Sequence, residues 1–225
     1  MTRAAPAGGW SAGNEQDYDE VIKVVVVGDK SVGHTALIAA FTRADLDGSE
    51  PGFSTIGVDF RTRVLEASAG RRVKLRVWDV QVQEWACPFG TEERRRLMAS
   101  KYKGASAALL VFDVADAHTF DPNIRHWLAE VRRGCPPEAA LMLVGNTGKA
   151  SPGEAQREIS TDAASAFAEA ENLPYAEVSA TRADREALDR IFAGLMEQAL
   201  DGRRREDKCG AASSARLRPA RCLLQ

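Results

Sequence analysis

The chain has 225 residues, room for one domain with appendages or for two small ones. Hydrophobic residues make up 44% and charged residues 28%, the mix of a globular protein rather than a disordered or fibrous one. The net charge is −2 and no apolar run approaches the roughly 20 residues of a membrane helix, which excludes chain-wide attraction to nucleic acid and a spanning segment.

Residues 1–20 are small and polar, lack an apolar period, and read as a mobile N-terminal extension with Trp10 as an incidental contact. Val21–Val27, broken only by Lys23, has the β-branched character of a strand buried on both faces of a parallel sheet. A helix is expected over Ala36–Arg43. Arg61–Glu66 and Arg72–Trp78 alternate around Ala69-Gly70, which predicts an antiparallel hairpin. Strands Ala107–Asp113, Leu141–Gly145 and Tyr175–Ser179 follow, separated by helices over Asn123–Arg133 and Thr161–Glu171. A last helix spans Glu186–Leu200, where Leu188, Ile191, Phe192, Leu195, Met196 and Leu200 form one apolar stripe. Beyond it, the region from Asp201 to Ala220 is rich in Arg, Ser, Ala and Gly without a period and reads as a flexible tail. Strand–helix alternation predicts an α/β fold: a doubly wound, mostly parallel sheet with helices on both faces. The domain boundaries are 1–20, 21–200 and 201–225. Cys87, Cys135, Cys209 and Cys222 form no CxxC pair, which argues against a zinc site or a disulfide framework and suits a reducing compartment. The start of the chain lacks a basic-then-apolar signal, and Thr2 stands where myristoylation requires glycine.

The first strand runs into Gly28-Asp29-Lys30-Ser31-Val32-Gly33-His34-Thr35, which is GxxxxGK[ST] with His34 in the lysine position. Glycines let such a loop curl its backbone N–H groups and a helix N-terminus onto phosphate oxygens, and the Thr35 hydroxyl suits a Mg²⁺ ion. Histidine is shorter than lysine and carries no permanent charge.

Further motifs follow in order. They are Ser54-Thr55-Ile56-Gly57-Val58-Asp59-Phe60, Trp78-Asp79 with Gln83-Glu84, Phe112-Asp113, Val144-Gly145-Asn146 and Val178-Ser179-Ala180. This series resembles the Ras superfamily of small GTPases over about residues 21–200, and TIGVDF points to the Rab branch. The resemblance implies the P-loop small GTPase fold, with GTP or GDP as ligand. Gly28, Asp29, Ser31, Val32, Gly33, His34, Thr35 and Val82 would then lie around the phosphates. Mg²⁺ would be organised by Thr35, Thr55 and Asp79, and Gln83 would orient the attacking water. The base would meet Asn146, Lys149, Ser179 and Ala180.

Three of these places depart from the family pattern. The DTAGQE glycine is Val82, whose stiff side chain compromises a switch hinge. NKxD is Asn146-Thr147-Gly148-Lys149, so Lys149 offers donors where the guanine edge also offers donors. Each buried donor left unpaired costs about 1–3 kcal/mol, so weakened guanine selectivity is expected. His34 is the third departure. The Rab aromatic effector triad is matched by Phe60 and Trp78, but its third place falls on Lys101, beside Tyr102. After Trp85, the segment to Tyr102 is also longer than is usual in Rab sequences, with a Glu92-Glu93-Arg94-Arg95-Arg96 run read as a solvated helix face.

The final residues, Cys222-Leu223-Leu224-Gln225, match C-a-a-X, with Gln favouring a farnesyl group on Cys222. Residues 203–221 carry seven basic and two acidic side chains, a net +5 that supplies a second signal toward anionic lipid. The expected placement is cytoplasmic, peripheral on the cytosolic face of a membrane, with protein effectors at the switch surface and no nucleic acid. Two functions remain open: a trafficking or signalling adaptor with weakened or lost GTP binding and hydrolysis, or an atypical, slowly hydrolysing switch in vesicle transport. A relaxed site that accepts ATP is a third.

Overall fold

The computed structural model describes residues 18–42, 60–68, 70–80, 99–148, 156–179 and 185–215, with side chains in the last stretch described to 206. Six strands form one sheet: β1 (Glu20–Val27), β2 (Phe60–Glu66), β3 (Arg72–Asp79), β4 (Ala107–Asp113), β5 (Ala140–Asn146) and β6 (Tyr175–Val178). Their order is β2-β3-β1-β4-β5-β6. All neighbours run parallel except β2 and β3, the hairpin read from the alternation around Gly70. The helices are α1 (His34–Thr42), α2 (Asn123–Gly134), α3 (Thr161–Ala170) and α4 (Arg185–Ala215).

The β-branched run of β1 is explained by two cores, because successive strand residues point to opposite faces. Val24 and Val26 meet Leu37, Ile38 and Phe41 of α1 and Phe192, Leu195 and Met196 of α4. Val25 and Val27 meet the other core, with Trp127, Leu128 and Val131 of α2 and Phe167 of α3. Each fully buried Leu, Ile, Val or Phe contributes about 1.5–3 kcal/mol. The Phe41 and Phe192 rings stack at 3.8 Å between centroids, fixing α1 against α4. Arg63 on β2 seals that corner by donating to the Phe41 carbonyl at 2.7 Å and pairing in two-pronged fashion with Asp189. Ser160 caps α3 by accepting from the Ala163 N–H.

Most element ends shift by one or two residues from the sequence expectation, and the differences at the two ends of the domain bear on its limits. The strand expected from Val21 begins at Glu20. The Asp19 N–H donates to the Arg72 carbonyl at 2.8 Å, and Lys74 lies over the Tyr18 ring, so residues 18 and 19 already pack on β3. The helix expected to stop at Leu200 continues to Ala215, into the stretch read as a flexible tail. Arg203 holds it there by donating to Glu20, to the Val21 carbonyl and to Ser106 Oγ at 2.6 Å. These polar contacts at the starts of the central strands β1 and β4 anchor the helix just past Leu200. Among the described residues no helix is long and apolar enough to cross a membrane.

Candidate phosphate-binding site

Parallel strands bring their C-terminal ends to one edge, and this edge gathers the site. The β1–β3 register pairs Val26 with Asp79, so the carboxylate emerges beside the loop that follows Val27. The β4–β5 and β5–β6 registers pair Asp113 with Asn146 and Asn146 with Val178, adding the base-side segments to the same edge.

The loop between β1 and α1 is tight. Val32 N–H donates to the Asp29 carbonyl at 3.2 Å, and Leu37 N–H donates to the Gly33 carbonyl. Gly33 has φ +80°, and a Cβ there would lie 2.6 Å from Asn146 Nδ2. Only glycine combines that conformation with that approach. Asn146, 6% exposed, uses Nδ2 to donate to the Val32 carbonyl at 2.7 Å and accepts from Gly148 N–H at 3.0 Å. The expected base-binding asparagine therefore also clasps the expected phosphate loop.

The Asp29 side chain turns toward α2. Its carboxylate accepts from Trp127 Nε1 at 2.8 Å and from Asn123 Nδ2 at 2.7 Å, both on α2. A carboxylate facing a phosphate would repel it, and these two donors hold this one. Ser31 and Lys30 are exposed and line an open cavity of about 510 Å³ with Asp116, His118 and Thr119.

His34 opens α1 and is buried at 2% exposure. Its Nδ1 lies 2.9 Å from Asp79 Oδ1 and 3.4 Å from Thr35 Oγ1. Thr35 Oγ1 donates to the other Asp79 oxygen at 2.7 Å. Nε2 is buried with no hydrogen-bond partner among the described residues. Thus the residue in the lysine place reaches sideways to the acid of β3.

That geometry tests the Mg²⁺ expectation. A hard divalent cation needs oxygen ligands at about 2.0–2.1 Å in octahedral array, free of competing donors. Thr35 and Asp79 are together, but an imidazole nitrogen stands against the same carboxylate and close to the same hydroxyl. The residues do not fit the ion as they stand.

Ser179 is 5% exposed at the end of β6, and Thr147 N–H donates to the Val178 carbonyl. Just before it, Glu177 accepts from both Arg157 Nη atoms at 3.0 and 2.6 Å, from Thr161 at 2.9 Å and from Tyr175 at 2.7 Å. The Arg157 hydrogen bonds hold the Glu177 carboxyl well down, to about 2. Burial first, and then the neighbouring carboxylate, push the Tyr175 hydroxyl far above its ordinary value. This network braces the base-side segment from α3. On the outer edge, the Phe60 and Trp78 rings stack at 5.1 Å. Tyr102 is buried at 1% exposure in the core, so it leaves Lys101 at the third place of the aromatic patch.

Thr55, Val82, Gln83, Lys149, Ala180 and Cys222 lie outside the described residues. Of the rest, Gly28, Asp29, Ser31, Val32, Gly33, His34, Thr35, Asp79, Asn146 and Ser179 converge on the one edge. The sequence reading missed Asn123 and Trp127. Their i, i+4 spacing puts an amide and an indole N–H on one helix face, which was the available signal. Arg157 and Glu177 were missed as well.

The model of the Ras family matches residues 23–201. The chain belongs to the Ras family. Within this family it is Rab-like, as its relatives show. It is 34% identical to Ras-related protein YPTC6 of Chlamydomonas reinhardtii, with 87% of each chain covered. It is 35% identical to Ras-related protein Rab-11A of Dictyostelium discoideum, over 84% of this chain and 80% of the relative. To Ras-related protein SEC4 of Saccharomyces cerevisiae it is 33% identical, over 85% and 82%. The small GTPase fold and the Rab-like branch are therefore established, and His34 stands where the loop motif GxxxxGK[ST] has lysine.

Proposed function

We propose that this chain is a membrane-associated Rab-like adaptor in trafficking or signalling, with guanine nucleotide binding and hydrolysis weakened or lost. The observation that carries the reading is the His34 imidazole engaged with Asp79 at 2.9 Å in place of a long cation reaching the phosphates. Lys149 in the aspartate place and Val82 in the glycine place support it from the sequence. A farnesyl group on Cys222 and the net +5 basic tail would hold the chain at the cytosolic face of a membrane, since one lipid chain alone gives only marginal binding. Protein effectors would meet the face that carries the Phe60–Trp78 stack.

The second reading is an atypical, slowly hydrolysing switch in vesicle transport. It is favoured by Thr35, Thr55, Asp79 and Gln83 all standing in the family's places. Titration of the purified full chain with fluorescent GDP, GTP and ATP separates the readings. The adaptor predicts dissociation constants weaker than about 1 μM, a binding free energy smaller than about 8 kcal/mol. Submicromolar guanine binding establishes the switch instead, and preferential ATP binding establishes a relaxed site.

A further inference from the structure

Resting on the reading of this edge as a weakened nucleotide site, we infer that His34 excludes the divalent ion, so that any nucleoside phosphate the loop takes is bound without metal. Three distances carry this. His34 Nδ1 is 2.9 Å from Asp79 Oδ1 and 3.4 Å from Thr35 Oγ1, and that hydroxyl is 2.7 Å from Asp79 Oδ2. Both oxygen ligands that the chain could offer from described residues are therefore bonded to one another and crowded by one ring nitrogen.

A cation held by Thr35 Oγ1 and Asp79 together, at about 2.1 Å from each, would share that space with the imidazole. Whatever the tautomer, ring atoms fill part of the volume in which the octahedral shell of a small divalent ion would have to form.

Moving His34 aside is costly because of where it is. Its side chain is only 3% exposed, and the carboxylate it faces is 7% exposed. Asn146 and Gly33 fix the backbone just before it, through the 2.7 Å bond to the Val32 carbonyl and the close approach at φ +80°. The loop that would have to open for a hydrated ion is held by another strand. By contrast, a phosphate needs from the loop only backbone N–H groups at the start of α1, which ask for no metal.

The test is the affinity of the full-length chain for fluorescent GDP, measured at protein concentrations up to the solubility limit, in excess Mg²⁺ and in EDTA. The expected result is a ratio of dissociation constants within about three-fold for the wild type. His34→Ala and His34→Lys, each checked for folding by circular dichroism, are expected to acquire Mg²⁺ dependence of about ten-fold or more. A wild-type ratio of about ten-fold or more overturns the inference, as does a folded His34→Ala or His34→Lys protein that gains no dependence. No binding in either buffer also overturns it, and leaves the weakened-nucleotide reading standing. Submicromolar binding that is equal in both buffers does the reverse: it supports metal exclusion and ends the weakened-nucleotide reading.

Discussion

The Trp127 indole N–H donates to the Asp29 carboxylate at 2.8 Å, across 98 residues of sequence. With Asn123 holding the other oxygen at 2.7 Å, the expected phosphate loop is tied to the first two turns of α2. The carboxylate at the head of this turn is thereby held by α2.

Breaking that tie has a measurable cost. Removing one donor to a partly buried carboxylate costs about 1–3 kcal/mol, so Trp127→Phe and Asp29→Ala are each expected to lower the urea-unfolding free energy by that order. In a double-mutant cycle the pair should couple by about 0.5–3 kcal/mol, because the two residues share one bond. Strictly additive losses would show that the contact contributes nothing.

Glycine at the end of the loop makes a second case. Gly33→Ala meets both a positive φ and the Asn146 amide at 2.6 Å, whereas Gly70→Ala at φ +72° meets nothing within 4 Å. Backbone strain alone costs about 1–3 kcal/mol, so Gly70→Ala should lose that much and Gly33→Ala clearly more. Thermal unfolding of both variants decides it; equal losses would mean that Asn146 yields without cost.

Acid titration tests the brace behind Ser179. The Glu177 carboxyl is held near 2 in the fold, chiefly by Arg157, against an ordinary value of 4.5. A group whose folded value is depressed contributes stability above its unfolded value and loses it as pH falls toward the folded one. The stability gap between wild type and Glu177→Gln should therefore be full near neutral pH and shrink steadily below about pH 4.5. Urea midpoints across that range measure it, and a gap that is flat with pH would contradict the assignment.

For the lipid anchor, Cys222→Ser is expected to abolish prenyl incorporation and move the chain from the membrane to the soluble fraction of a cell lysate. Neutralising the basic residues of the tail should give an intermediate distribution, since the two signals add. Membrane fractionation with mass spectrometry reads both, and an unchanged Cys222→Ser distribution would remove the anchor.

The sheet was legible because strands buried on both faces leave uninterrupted runs such as Val24–Val27, and because Gly70 punctuates an alternating pair. The family was legible because loop residues such as Gly33 are fixed by conformation and close approach, which constrain identity more tightly than packing does. The end of α4 was not, since Arg203 is held by Glu20, Val21 and Ser106 from two strands distant in sequence. His34 was legible as a missing lysine but not as a partner of Asp79. That pairing follows from the β1–β3 register, which no local pattern around residue 34 carries. The Asp29–Trp127 contact was hidden for the same reason, since the neighbours of residue 29 in sequence gave no hint of it.

The account turns on whether guanine nucleotide occupies this Rab-like loop. Nucleotide extracted from the protein as it comes out of cells, separated by chromatography and quantified per chain, answers that directly. Far less GDP and GTP than protein is the predicted outcome; one guanine nucleotide retained on every chain would contradict it.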